Sequence, residues 1–273
     1  MFTLNCKGRL LALDKPVVMG ILNATPDSFY AESRLDGTNA VLQRAEQMLK
    51  DGATILDIGG QSTRPGSLAV GADEELKRVI PAIEAVHRSF PEAFISIDTY
   101  RGRVATEAVQ AGAGLVNDIS SGTLDEEMLP AVAALRVPYV LMHMKGSPEN
   151  MHQLARYEDV TLEVLDHFIH QRARLMKMGI TDIIIDPGFG FAKTAKHNFE
   201  LLKNLSAFSM VPAPLLLGIS RKSFIYKTLG ITAEEALNGT AVLHTVGLMK
   251  GASILRVHDV KEAVQAIRLL QQV

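Results

Sequence analysis

The order of apolar and polar residues predicts an α/β chain folded as a (β/α)8 barrel of eight parallel strands, and three observations carry that prediction. Short apolar runs alternate with longer stretches whose apolar positions recur at helical spacing, the rhythm of parallel strands buried on both faces and linked by helices. The runs number eight, enough to close a sheet on itself. Each run is followed by polar residues. In a parallel barrel all strand ends lie on one face, so positions more than two hundred residues apart in this chain meet in one pocket.

The runs are Val17 to Leu22, Thr54 to Ile58, Phe94 to Ile97, Gly114 to Val116, Pro138 to Met142, Asp182 to Ile185, Leu215 to Ile219 and Ser253 to Val257. Helical stripes lie between them, for example Ala40, Val41, Ala45, Met48 and Leu49, or Leu76, Val79, Ile80, Ile83 and Val86, each placing its apolar positions on one face. The first twelve residues read as a β-hairpin turning at Asn5-Cys6-Lys7-Gly8 and covering the barrel floor. Residues 1–14 are assigned to this hairpin and 17–273 to the barrel, in one domain spanning 1–273. The polar residues after the runs are Asn23, Gly59-Gly60, Asp98, Asn117-Asp118, His143, Asp186, Ser220-Arg221-Lys222, and Arg256 with His258. Any one of them could simply cap a helix or start a turn. Capping does not call for arginine, lysine and histidine beside the carboxylates, so the whole set points to a site.

Composition narrows the function. A hydrophobic content of 47 % over 273 residues supports a large core. Lys and Arg total 28 against 30 Asp and Glu, which gives no electrostatic footprint for nucleic acid or an anionic membrane. No apolar run reaches the length of a membrane span, and the first residues lack the apolar core of a secretion signal, so a cytoplasmic protein is expected. Cys6 is the only cysteine, which excludes an internal disulfide or a multi-cysteine metal cluster and assigns the thiol to packing. There is no phosphate-binding Walker loop, no G-x-G-x-x-G fingerprint and no H-E-x-x-H helix. His167 and His170, three apart on a helical stripe, read as solvated side chains, not metal ligands.

Two segments are specific. Met19-Gly20-Ile21-Leu22-Asn23-Ala24-Thr25-Pro26-Asp27-Ser28-Phe29 is a buried strand breaking into a polar loop, and Asp57-Ile58-Gly59-Gly60-Gln61-Ser62-Thr63-Arg64-Pro65-Gly66 repeats that design. They resemble the two signatures of the dihydropteroate synthases of folate biosynthesis. The likeness continues, in order, through Ile97-Asp98-Thr99, Val116-Asn117-Asp118-Ile119, Leu141-Met142-His143-Met144, Asp186-Pro187-Gly188-Phe189-Gly190-Phe191, Ser220-Arg221-Lys222-Ser223 and Arg256-Val257-His258-Asp259-Val260.

The resemblance implies a transferase that joins 4-aminobenzoate to a dihydropterin methylene bearing diphosphate. It implies Mg2+ as cofactor, with Asn23 as the metal ligand, and Asn23, Thr63, Arg64, Arg256 and His258 holding the diphosphate. Hydroxyl, guanidinium and imidazole donors all match phosphate oxygens, and Mg2+ commonly keeps waters and takes its other oxygens from phosphates. It further implies a pterin subsite of Asp98, Asn117, Met142, Asp186, Gly218 and Lys222, and an aminobenzoate subsite of Pro65, Phe191, Lys222 and Ser223. An ionised carboxylate is acceptor-only, which suits Asp186 to the N–H-rich pterin edge. Asp98 has three open roles: stabilising a cation-like methylene as diphosphate leaves, binding the ring, or anchoring a loop. An aniline-type nitrogen already carries a free lone pair, so no strong general base is required. The resemblance also implies a homodimer formed through outer helices of the C-terminal half.

The chain departs from the pattern at Tyr30-Ala31-Glu32-Ser33-Arg34, where a Ser-Asp-Gly type sequence is common, and at Gln61 and Ala24, where glutamate and valine are frequent. The altered first loop leaves open a catalytically silent pterin-binding relative. A pterin-dependent methyltransferase would not keep Ser62-Thr63-Arg64-Pro65 together with Ser220-Arg221-Lys222 and Arg256-Val257-His258. An aldolase-like barrel would want its Schiff-base lysine within an apolar strand, whereas Lys222 follows Ser220-Arg221 beyond one.

Overall fold

The computed structural model describes residues 2–24, 34–61 and 70–273, with backbone alone for 34–37. Expectations on Thr25–Phe29, Tyr30–Ser33, Thr63, Arg64 and Pro65 therefore lie outside the described residues. The hairpin forms as expected from β1 (Phe2–Cys6) and β2 (Arg9–Leu13), paired antiparallel from Phe2↔Leu13 to Cys6↔Arg9. Its turn is tighter than the four residues anticipated, because Lys7 (φ 53°) and Gly8 (φ 85°) both adopt the left-handed region. That is the geometry of a two-residue hairpin loop.

The barrel strands are β3 (Val17–Asn23), β4 (Ile55–Gly59), β5 (Phe94–Asp98), β6 (Leu115–Asp118), β7 (Tyr139–Met142), β8 (Ile183–Asp186), β9 (Leu216–Leu217) and β10 (Ile254–Val257). They pair in parallel in the order β8-β7-β6-β5-β4-β3-β10-β9. The seam between β8 and β9 is closed by one bridge, Ile185↔Leu215, with the Ile185 N–H donating to the Pro214 carbonyl at 3.0 Å. Pro214 has no N–H to give the ladder, and β9 is accordingly the shortest strand. Around the barrel run α1 (Arg34–Lys50), α2 (Ala72–Ser89), α3 (Gly102–Ala111), α4 (Met128–Leu135), α5 (Val160–Lys177), α6 (Ala195–Lys203), α7 (Ser223–Leu229), α8 (Leu237–Met249) and α9 (Val260–Leu270), with a 3-10 helix at Leu205–Met210.

Side chains alternate between the two faces of each strand, and the two faces build two cores. Outward residues such as Ile58, Ile97, Val116, Leu141, Ile185 and Leu255 pack on the helices. Inward residues at the strand starts, Met19, Ile55, Leu115, Val140, Ile184, Leu216 and Ile254, form a second apolar cluster with Leu4, Cys6, Leu11 and Leu13 of the hairpin. The hairpin thus seals the floor. Cys6 packs in that seal as expected, and its burial, the largest influence, pushes the thiol up to about 12.

Candidate active site at the barrel mouth

Two residues above four of the seven apolar floor positions the chain turns polar, and the same parity keeps those side chains inside the barrel. Ile55 is followed by Asp57, Leu115 by Asn117, Ile184 by Asp186 and Ile254 by Arg256, while Ser96 is followed by Asp98. The ladder aligns them, since Asn23 pairs with Gly59, Gly59 with Asp98, and Asp98 with Asn117. Asn23, Asp98, Asn117 and Asp186 belong to the strands themselves, one position beyond the ends predicted from apolar content alone, while Asp57 and Arg256 lie within the predicted runs.

Arg256 is the centre of the charge arrangement. Its Nε donates to Asp57 Oδ2 at 2.6 Å and its Nη2 to Asp98 Oδ2 at 2.5 Å. Burial works against the charge, but Asp57 and Asp98 hold the guanidinium protonated well above its ordinary range. Asp57 Oδ2 also accepts from Asn117 Nδ2 at 2.9 Å, which fixes the amide's orientation, and Asp57 Oδ1 is buried without a partner among the described residues. Asp98 is raised to about 7, first by burial and also by Asp57, against the lowering effect of Arg256. Asp186 is raised by burial, opposed by Lys222 and by the Gly188 N–H that donates to Oδ1 at 2.8 Å. Gly218 belongs here because a Cβ would lie 3.5 Å from Asp186 Oδ2.

Lys222 arches over this layer from the start of α7. Its ammonium donates to the Phe189 carbonyl and sits 4.5 Å from the centre of the Phe191 ring. Burial lowers it to about 8, against the pull of Asp186. Gly190 gives it room, since a Cβ there would lie 3.0 Å from Lys222 Cδ. Met142 is buried, Phe191 half-buried, and Ser223 exposed at the rim. Asn23 and His258 line one cleft together with Arg44, Gln43 and Gln47 of α1. His258 Nδ1 lies 3.1 Å from Ser220 Oγ.

Not all eight strand ends converge. Parity turns Asp118, His143 and Arg221 outward, and each has a structural task. Asp118 accepts from Tyr139 Oη, Ser120 and the Gly122 N–H, Arg221 makes a two-pronged pair with Asp259, and His143 packs edge-on against His167 at 4.9 Å. That contact also corrects the reading of His167 as solvated: its Nε2 is buried and burial lowers the ring to about 4. Asp57 was missed as a site residue although it is a lone carboxylate inside an apolar strand. Arg101 was missed too; it bonds Gln61 Oε1 at 3.1 Å and the Val70 carbonyl at 2.5 Å and pairs with the buried Glu75.

A ring of donors and acceptors above a closed apolar floor is what a flat, polar-edged heterocycle requires. Comparison with known proteins agrees. Residues 19–258 match the family model described as pterin binding enzyme. The dihydropteroate synthase of Escherichia coli K12 is 43 % identical over 267 residues, covering 97 % of this chain and 94 % of that relative. The structure of Xanthomonas albilineans dihydropteroate synthase with 4-aminobenzoic acid has a TM-score of 0.92 at 40 % identity, covering 99 % of this chain and 97 % of that one. The same enzyme in complex with 7,8-dihydropteroate has a TM-score of 0.89 at 38 % identity, covering 99 % and 98 %. By fold, by the polar layer of its barrel and by these likenesses, the chain belongs to the pterin-binding enzymes and, among them, to the dihydropteroate synthase family.

Proposed function

We propose that the barrel mouth condenses (7,8-dihydropterin-6-yl)methyl diphosphate with 4-aminobenzoate to give 7,8-dihydropteroate and diphosphate. The observation that carries this is the convergence of Asp98, Asn117, Asp186 and Arg256 on one interior layer, with Lys222 above it. Asp186 accepts from the amino-pyrimidine edge. Asn117 has given its Nδ2 to Asp57, so its oxygen is left to accept from the ring. Lys222 donates to the ring carbonyl, and Met142 and Gly218 bound the ring faces. The amine nitrogen forms its C–N bond to the methylene as the C–O bond to diphosphate breaks, and the surplus amine proton leaves to solvent. Ionised Asp98 stabilises the positive charge that develops on the dihydropterin methylene. Arg256 and His258, with Thr63 and Arg64, meet the diphosphate. Phe191 and Ser223, with Pro65, bound the aminobenzoate.

The donor set at the mouth fits Mg2+ bound through its substrate. Among the described residues no group of three His, Cys, Asp or Glu is placed to hold a metal, whereas Asn23 is exposed at the end of β3 beside the diphosphate cleft. One amide oxygen suffices for an ion that keeps waters and phosphate ligands. When bound, Mg2+ would neutralise charge on the departing diphosphate.

The same reading includes a homodimer. Leu229 of α7, Val242 and Met249 of α8 and Leu269 of α9 are exposed on consecutive outer helices. It also includes a cytoplasmic location, supported by a lone thiol and by the lack, among the described residues, of a helix long and apolar enough to cross a membrane.

The test is to incubate the purified protein with Mg2+ and the dihydropterin diphosphate, with and without 4-aminobenzoate, and to quantify diphosphate and dihydropteroate by mass spectrometry. Product that needs both substrates is the expected result. Pterin binding without product would instead favour the silent relative.

A further inference from the structure

Lys193 has no part in the roles above. It is only 7 % exposed, and its ammonium meets three acceptors, none of them a carboxylate: His143 Nδ1 at 3.0 Å, the His143 carbonyl at 3.2 Å and the Phe191 carbonyl at 3.0 Å. A buried cation without a hydrogen-bonded counter-ion is costly, and burial indeed lowers Lys193 to about 7. His143 is neutral, pushed down to about 2 by burial and by Lys193, so its Nδ1 is an acceptor when the ring proton is assigned to Nε2.

What this cation joins is specific. His143 follows the last residue of β7, and Phe191 lies on the loop between β8 and α6. That loop is tightly coiled, with positive φ at Gly188 (68°), Gly190 (81°) and Ala192 (47°). It comes so close to β7 that a Cβ on Gly188 would collide with the His143 carbonyl oxygen. On the pocket side Lys222 holds the same loop through the Phe189 carbonyl and the Phe191 ring. Two lysines therefore grip one loop from opposite sides.

We propose that Lys193 is a positioning residue for the aminobenzoate subsite: it bolts the 187–192 loop to the end of β7 and thereby fixes the Phe191 ring and the Lys222 ammonium that lies over it. This rests on the dihydropteroate synthase reading of the mouth. The bolt acts on one substrate more than the other. Burial raises Asp186, the pterin-edge carboxylate, and Lys193 opposes this less than Lys222, the Gly188 N–H or Arg256 does.

The experiment compares the full-length enzyme with Lys193→Met, varying each substrate in turn, and follows backbone hydrogen exchange of residues 187–192 by mass spectrometry. A loosened ring position costs on the order of tenfold or more in the KM for 4-aminobenzoate. The KM for the dihydropterin diphosphate rises less, because Asp186 and Asn117 are held by their strands and only Lys222 of the pterin subsite leans on this loop, and the amides of Gly188, Gly190 and Phe191 exchange faster. Lys193→Gln, whose amide keeps a donor toward the His143 and Phe191 carbonyls, is a second, milder variant that should fall between the unaltered enzyme and Lys193→Met, and it decides the matter by the same split if Lys193→Met does not fold. An unchanged aminobenzoate KM, a parallel rise in both KM values, or unchanged exchange would overturn the proposal. If the unaltered enzyme makes no dihydropteroate, the functional reading fails by itself, and the exchange measurement still decides whether the bolt exists.

Discussion

Asp57 shows how a side chain that need not touch a ligand can set the site's chemistry. One of its oxygens takes bonds from both Arg256 and Asn117, so it aims a guanidinium and fixes an amide at once. Asp57→Ala leaves Arg256 with Asp98 as its hydrogen-bonded partner among the described residues and frees Asn117 to flip. Small misplacements of reacting groups cost about 10²-fold, so a loss of that order in kcat/KM is expected, with much less in Asp57→Asn, which keeps the shape. Steady-state kinetics of the two variants checks this. The ionisation of the site makes a second prediction. Asp98 acts as a carboxylate and lies at about 7, while Lys222 acts as an ammonium and lies at about 8. A group that must be ionised as an acid loses function as pH falls through its pKa, and one that must stay protonated loses it as pH rises. The pH profile of kcat/KM should therefore be a narrow bell with limbs near those values. Its acid limb belongs to Asp98 beside Arg256, and Asp98→Asn should abolish it.

At the scale of the elements, helices are held to their neighbours by close backbone approaches as much as by apolar stripes. Gly102 opens α3 where α4 begins: a Cβ there would lie 2.7 Å from the Glu127 carbonyl carbon and 2.9 Å from the Met128 nitrogen. Backbone cannot swing aside, so Gly102→Ala should cost about 1–3 kcal/mol of stability, read as a lower midpoint in urea unfolding with unchanged slope. The strands were legible in the sequence because runs such as Ile183–Ile185 are short, apolar and β-branched. Their mouth ends were not, because the ladder continues through Asn23, Asp98, Asn117 and Asp186, polar residues that hydropathy assigns to loops. Parity would have recovered them: counting in twos from Ile55, Leu115, Ile184 and Ile254 reaches Asp57, Asn117, Asp186 and Arg256 and leaves Asp118 and His143 outside. Lys193 was beyond such counting. It lies on a loop, and its distant partner, His143, follows β7 fifty residues earlier.

For the molecule as a whole, the outer helices and the floor make separate predictions. The exposed apolar residues of α7, α8 and α9 form the proposed dimer face, and α8, apolar around much of its circumference, is its natural centre. Val242→Asp with Met249→Lys should convert the dimer to a monomer in sedimentation velocity while leaving the fold, read by circular dichroism, intact. The hairpin of β1 and β2 carries a consequence of a different kind. It corks the barrel with Leu4, Cys6, Leu11 and Leu13, so traffic has one doorway. Dihydropteroate, spanning the deep pterin pocket and the rim, cannot drain through the bottom; it must back out past the place where the next substrates wait. The product should therefore compete with incoming dihydropterin diphosphate, raising its apparent KM and leaving the limiting rate unchanged.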